Sequence, residues 1–167
     1  MITQEQLKEL LHYNPDTGVF TWKKVVIKNQ VKVGDIAGCK DSDTGYIKIS
    51  IRGEKYKAHR LAFLYMTGEW PKKHIDHKNH TRHDNSWLNI RAVSRLENSR
   101  NRRLSYTNKS GVSGVTWNKR KKLWLARISV EGDRIYLKMS KDKFEVICAR
   151  KAAEIKYDFH PNHGKVL

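Results

Sequence analysis

Residues 74–101 read HIDHKNHTRHDNSWLNIRAVSRLENSRN, and this stretch decides the fold. It holds an acid–histidine pair (Asp76, His77), a polar run, the step Asn89-Ile90-Arg91, and a helix start. Ser94 suits an N-cap, and Glu97 three residues on completes a capping box. Asn98 then sits in the first turns of that helix and faces back toward the preceding segment. Neighbouring residues on a strand point to opposite faces. Asp76 and His77 therefore diverge unless the strand ends there, and the polar run after His77 predicts such an end.

Charge is the strongest global signal. The 167 residues carry 34 Lys+Arg against 17 Asp+Glu, a formal net charge of +17. That is the electrostatic footprint of a nucleic-acid binder. The length suits one ordinary domain or two small ones, and 38% hydrophobic residues support small packed cores. No apolar run is long enough to span a bilayer, and MITQEQLKELL reads as a capped helix and not as a secretion signal. Cys39 and Cys148 lie far apart, so neither a disulfide framework nor a four-ligand zinc site follows, and a cytoplasmic location is expected.

Upstream of residue 74 the chain punctuates itself. Thr3 and Gln6 form a capping pair for a short helix carrying Leu7, Leu10 and Leu11. Asn14-Pro15-Asp16-Thr17-Gly18 is a turn by residue chemistry, and Val19-Phe20-Thr21-Trp22 reads as a strand. Residues 25–43 read as a loop that is basic at its start. Residues 46–51 alternate strictly, with Ile47, Ile49 and Ile51 on one face, and Arg52-Gly53 turns them into a second strand over 54–58. Residues 59–66 are an apolar helical run that Gly68 is placed to end.

The pieces YNPDTGVFTW, GY-x-IxI, AHRLAF, G-x-W-P and IDH, followed by Asn89 and Asn98, resemble HNH nucleases of the phage and intron homing type over roughly residues 10–101. The resemblance implies two short strands and a helix around one divalent ion. It implies that Asp76 and Asn98 bind the metal, that His77 is the general base, and that Asn89 pins the loop. The residue types suit that chemistry. A neutral histidine accepts a proton from water near pH 7, and a hard cation held by one carboxylate and one amide oxygen keeps positions open for phosphate and water. Magnesium is the expected ion, one per site, with manganese as a substitute. Lys78-Asn79-His80 stands where that family has a glycine-containing loop. His59 has two readings: a residue bracing the site or touching phosphate, or a buried histidine hydrogen-bonded at a helix start, which we favour. His74, His77, His80 and His83 recur every three residues, a zinc cluster in one reading and a His-dotted basic loop beside phosphates in the favoured one.

Between Asn98 and Val130 no acidic residue occurs, while Arg100, Arg102, Arg103, Lys109, Lys119, Arg120, Lys121, Lys122 and Arg127 do. Residues 102–109 read as a basic linker along a phosphate backbone. Beyond it, strands are predicted at 114–117, 123–130 and 134–139 and a helix over 142–157, carrying Phe144, Ala149, Ala152, Ala153 and Tyr157. SGVSGVTW, WLARI, RIYL and CARKAAEIKY resemble the Apetala-two (ethylene-response-factor) DNA-binding domain, which implies a sheet lying in the major groove with the helix behind it. Strand parity places Val115, Trp117, Trp124, Ala126, Ile128, Ile135 and Leu137 on the helix side. It places Ser113, Thr116, Asn118, Arg120, Arg127, Ser129, Arg134, Tyr136 and Lys138 toward DNA. Residues 159–167 read as a loose tail.

The fold expected is therefore α+β. An HNH nuclease unit, with a β-hairpin and helix before the two strands and helix of the site, spans residues 1–101. A linker spans 102–109, and a three-stranded antiparallel sheet backed by one helix spans 110–158. The expected function is a metal-dependent endonuclease acting on double-stranded DNA as a monomer, nicking one strand at a long site and leaving 5′ phosphate and 3′ hydroxyl, with no membrane partner. A non-cleaving DNA-binding regulator is the alternative. An RNA-binding protein would want more exposed sheet aromatics than Tyr136.

Overall fold

The computed structural model describes residues 1–24 and 31–165, so the start of the loop expected from residue 25 lies outside the described residues. The chain divides into two compact units, Met1–Ser94 and Arg95–Leu167. This boundary falls before the helix that carries Asn98, not after it. The architecture is mixed α+β, built on small antiparallel sheets.

In the first unit, α1 (Gln4–Leu10) starts on the expected capping box: the Gln6 N–H donates to the Thr3 hydroxyl at 3.3 Å and the Thr3 N–H to the Gln6 side chain at 3.2 Å. The helix stops before Leu11, which opens β1 (Leu11–Tyr13) and pairs with Trp22 of β2 (Phe20–Trp22). Leucine spacing continues the helical period through Leu11, but pairing with β2 buries that side chain completely in an extended conformation. A second sheet has the order β3-β4-β5, from β3 (Cys39–Lys40), β4 (Ile47–Ile51) and β5 (Glu54–Lys57). β3 was expected as loop; its two residues are exposed and carry no alternation to detect.

Ile49 and Ile51 are buried on the face that alternation predicts, with Ile47 half-buried beside them. They pack with α2 (Ala58–Thr67), whose Ala58, Leu61, Ala62 and Leu64 form the buried stripe and whose C-cap is Gly68. Burying a leucine fully stabilises by about 1.5–3 kcal/mol, and Leu7, Leu11 and Leu61 are all at 0% exposure. Gln4 Nε2 donates to the Tyr65 carbonyl at 2.8 Å and Trp70 Nε1 to the Ile2 carbonyl at 3.0 Å, tying α1 to α2 and its exit. β6 (His74–His77) and β7 (Ile90–Val93) form an antiparallel ribbon whose Ile75 and Ile90 join the same core.

The second unit opens with α3 (Arg95–Arg100), directly after Ser94. β8 (Val115–Asn118), β9 (Leu123–Val130) and β10 (Asp133–Ser140) make a sheet of order β10-β9-β8, and α4 (Lys143–Lys156) starts where Asp142 accepts the Phe144 N–H at 2.8 Å. Val115, Ala126 and Val146 are its buried centre, with Val112, Trp124, Leu137 and Ile147 packed around them. Of the residues the helix carries, Phe144 and Ala152 are exposed, while Val146, Arg150 and Ala153 form its buried face. Trp117, also expected inside, is 45% exposed at the sheet edge against Trp124, with ring centroids 5.2 Å apart.

A buried polar hub supplements this small core. Arg150 donates from Nε to Glu154 Oε1 at 3.0 Å and from Nη1 to the Arg127 carbonyl at 2.8 Å, and its Nη2 lies 3.2 Å from His163 Nε2. His163 also contacts the Ser113 hydroxyl at 3.2 Å and the Arg100 carbonyl at 3.0 Å. The tail is therefore not loose as far as residue 165: the Gly164 N–H donates to the Arg102 carbonyl at 2.8 Å and the Leu104 N–H to the Lys165 carbonyl at 3.3 Å. These bonds also integrate the expected linker into the second unit. Among the described residues no helix is long and apolar enough to cross a membrane.

Candidate active site

Asp76 and His77 are the last two residues of β6, and both are buried, at 8% and 4% exposure. The strand runs through His77, so the two side chains leave on opposite faces. Asp76 meets Arg91, its cross-strand partner on β7: the guanidinium donates to Oδ2 from Nε at 3.2 Å and from Nη2 at 3.1 Å. His77 turns toward the rings of Tyr46 and His59, with centroids 5.8 Å and 5.0 Å away.

The loop between β6 and β7 is a set of nested hydrogen bonds. Asn89 spans it: Oδ1 accepts the Asn79 N–H at 3.0 Å, Nδ2 donates to the Asp84 carbonyl at 2.7 Å, and the Asn89 carbonyl accepts the Lys78 N–H at 2.9 Å. The Asp84 carboxylate accepts from Asn79 Nδ2 at 2.7 Å and from the Ser86 hydroxyl and N–H at 2.8 and 3.1 Å. Burial would raise its pKa, but these donors outweigh it and hold the carboxyl below its ordinary value. His80 occupies the left-handed region at φ 62, so the chain makes with histidine the turn for which glycine is the usual residue. This resolves the departure at Lys78-Asn79-His80: the backbone turns without glycine.

Asn85 orients the imidazole. Its Nδ2 donates to the His83 carbonyl at 3.1 Å, which directs Oδ1 toward His77 Nε2 at 3.3 Å. An amide oxygen only accepts, so Nε2 carries the proton and the ring's acceptor lone pair lies on Nδ1. Burial pushes the His77 pKa down; Asn85, Asp76 and Asp84 pull partly the other way. The ring is thus held neutral at neutral pH, as a proton acceptor must be.

Asn85 is itself clamped from the N-terminal turn. The Tyr13 hydroxyl donates to the Asn85 carbonyl at 2.7 Å, and the Trp87 N–H donates to the Pro15 carbonyl at 2.7 Å. Gly18, at φ 72, passes so close that a Cβ there would stand 2.3 Å from the Asn85 carbonyl carbon and the Ser86 nitrogen. Burial, with the nearby Asp84 charge, raises the Tyr13 pKa, so its phenol stays a donor. Sequence reasoning identified the turn and its glycine but not their target. Asn85 sits in a polar run with no periodicity, and its only signal is the clamp itself.

His59 is buried in the first turn of α2, as the favoured reading has it, but among the described residues its Nδ1 has no hydrogen-bond partner, which corrects the hydrogen-bonded part of that reading. Its ring stands edge-on to His77 and 5.0 Å from Tyr46, and burial, reinforced by the charges of His77, Lys57 and Arg60, pushes its pKa down to about 3. Of the four regularly spaced histidines, His74 and His83 are exposed while His77 and His80 are buried. Among the described residues no three His, Cys, Asp or Glu side chains group as a metal site, so a zinc cluster has no support.

Asn98 lies on α3 in the second unit, half-buried. The candidate DNA contacts divide three ways. Arg102, Arg103, Lys109 and Arg120 are exposed, while Arg100 stacks its guanidinium over Phe159 at 5.5 Å. Thr116, Asn118, Arg127, Ser129, Arg134 and Tyr136 share the sheet's outer face through their cross-strand pairing. Two candidates point elsewhere. Ser113 engages His163, as above. Lys138 follows a β-bulge after Tyr136, pairs with inward-facing Ala126, and meets Glu145 of α4 at 3.1 Å, so it lies on the helix side.

Comparison with curated proteins and with solved structures yields no match. Residues 56–100, from the end of β5 through α2, β6, the clamped loop, β7 and α3, match the family model described as HNH endonuclease, which supports a nuclease with DNA as its substrate.

Proposed function

We propose that the chain is a metal-dependent DNA endonuclease of the phage and intron homing type, with His77 as general base. The observation that carries this reading is the fixed imidazole at the end of β6: buried, held neutral, and oriented by Asn85 within the segment that resembles HNH endonucleases. The donor set fits a hard divalent cation. By residue type it offers one carboxylate, on Asp76, and one amide oxygen, on Asn98. Asn98 enters on its place in the sequence alone. Magnesium, or manganese in its stead, would be held by those two residues and would supply charge compensation at phosphorus and the departing oxygen.

The chain's own residues do the rest. Nδ1 of His77 takes the proton from the attacking water. Asn85 keeps the ring in the required tautomer, and His59 and Tyr46 wall its sides. Asn89 holds the loop so that Asn85 stays in place. In-line attack then leaves a 5′ phosphate and a 3′ hydroxyl. The second unit, resembling the Apetala-two domain, binds double-stranded DNA through its outer sheet face and the exposed Arg102, Arg103 and Lys109, giving a long site. A single active centre on a monomer nicks one strand, in the cytoplasm of the cell that holds the DNA.

The Asp76–Arg91 pair favours a second reading, a non-cleaving DNA-binding regulator, because a guanidinium already occupies the carboxylate. Relaxation of supercoiled plasmid at low salt, with magnesium or manganese, separates the two. Nicked circles from wild type, absent with His77→Ala, with Asp76→Ala and with EDTA, are the expected result. Tight binding without any nick by wild type would overturn the nuclease reading in favour of the regulator.

A further inference from the structure

The outer face of the second unit's sheet is not uniformly polar. Register places Thr116, Leu125 and Met139 side by side across β8, β9 and β10, with Tyr136 opposite Arg127 in the adjoining pair. Tyr136 is 67% and Met139 36% exposed, and with Leu125 they line an open hollow that Asn118, Lys121, Leu137 and Lys138 also border. The bulge that turns Lys138 inward is what brings Met139 out to this row.

The frame of this apolar centre is cationic. Arg127 and Arg134 lie toward the β9–β10 turn, which also carries Glu131 and Asp133, and Lys119, Arg120 and Lys121 lie toward the β8–β9 turn, where no acidic residue occurs. A face built only for phosphate would present cations, hydroxyls and amides throughout. A face built to stack unpaired bases would present several rings, and only Tyr136 stands here; Trp117, paired with Trp124, points to the other side. Double-stranded DNA offers one apolar group at its major-groove base edges, the 5-methyl of thymine, and the groove admits a β-ribbon.

We propose that Leu125 and Met139, flanked by the Tyr136 ring, read thymine methyl groups in the major groove, so that preferred sites carry thymine under the sheet. This rests on the DNA-binding part of the endonuclease reading and not on its cleavage chemistry.

The test uses the full chain in EDTA, which prevents cutting. Duplexes are selected from a randomised pool, and the best is remade with deoxyuridine replacing each thymine in turn, which removes only the methyl. Fluorescence anisotropy then gives Kd for each. At two or three neighbouring positions the substitution is expected to weaken binding about fourfold each, the value of one buried methyl-sized group. Met139→Thr and Leu125→Thr should lose that discrimination while leaving the effect of other base changes intact. If a variant fails to fold by circular dichroism, the thymine-to-uracil comparison on wild type still decides. Equal affinity at every position overturns the proposal while leaving the endonuclease reading standing. Tighter binding to single strands than to duplex overturns it in favour of base stacking. Failure to bind any duplex overturns both.

Discussion

His59 makes the first unit acid-labile over a defined window. In the unfolded chain its imidazole titrates near its ordinary 6.5, whereas in the fold it resists protonation until about 3. Between those values the unfolded state binds the extra proton, so stability falls as pH falls, beginning at 6.5 and ending near 3. Each pH unit inside the window costs about 1.4 kcal/mol. From pH 7 to pH 5 the loss is therefore about 2 kcal/mol, and it depends little on where below 4 the folded titration lies. The variant is His59→Phe, which keeps a ring against Tyr46 and His77 and removes both the titration and the unpartnered Nδ1. Urea unfolding is followed by tryptophan fluorescence in a Trp117→Phe, Trp124→Phe background, so that the signal comes from Trp22, Trp70 and Trp87 of the first unit. Wild type should lose about 2 kcal/mol more than His59→Phe between pH 7 and pH 5. Parallel pH dependence in the two proteins would refute the assignment of the proton to His59.

Gly18→Ala combines left-handed strain with a Cβ driven into the Asn85 and Ser86 backbone, and should cost about 2–4 kcal/mol. It should also depress plasmid nicking at temperatures where the fold persists, which paired melting and cleavage assays would show. The acid limb of the cleavage rate should fall with an apparent pKa below 6.5, because burial lowers the pKa of His77, the proposed base; a limb above 6.5 in a pH–rate profile contradicts this. His80→Val, at φ 62, should destabilise by about 1–2 kcal/mol more than His80→Gly, measured by thermal unfolding.

The hairpins and the apolar helix were legible because their signals are local. Ile47, Ile49 and Ile51 alternate, Arg52-Gly53 turns, and Gly68 caps. What escaped depends on partners. Leu11 fits the helical period until β2 claims it. The two residues of β3 carry no pattern. A single bulge resets parity, so Lys138 changed sides although Arg134, Ile135 and Tyr136 before it on β10 were assigned to the correct face. The tail looked loose because its hold comes from His163 inserted beside Arg150, a pairing with no sequence signature. At the site, Asp76, His77 and Asn89 were legible as a motif, while Asn85, which sets the tautomer, was visible only in space. The place of Asn98 outside the first unit was likewise not foreseeable from a capped helix alone.

The grip of Tyr13 on Asn85 joins positions 72 apart in sequence. Contacts of that separation form late, because a long loop must close before it is rewarded, whereas helices and two-residue hairpins form early. The imidazole thus acquires its fixed orientation only when the earliest-made part of the unit and one of its last-made parts have met. A chain still folding holds its helix and hairpins but not an oriented base. On the proposed endonuclease reading, cutting competence would therefore belong to the finished unit and not to a partly folded chain.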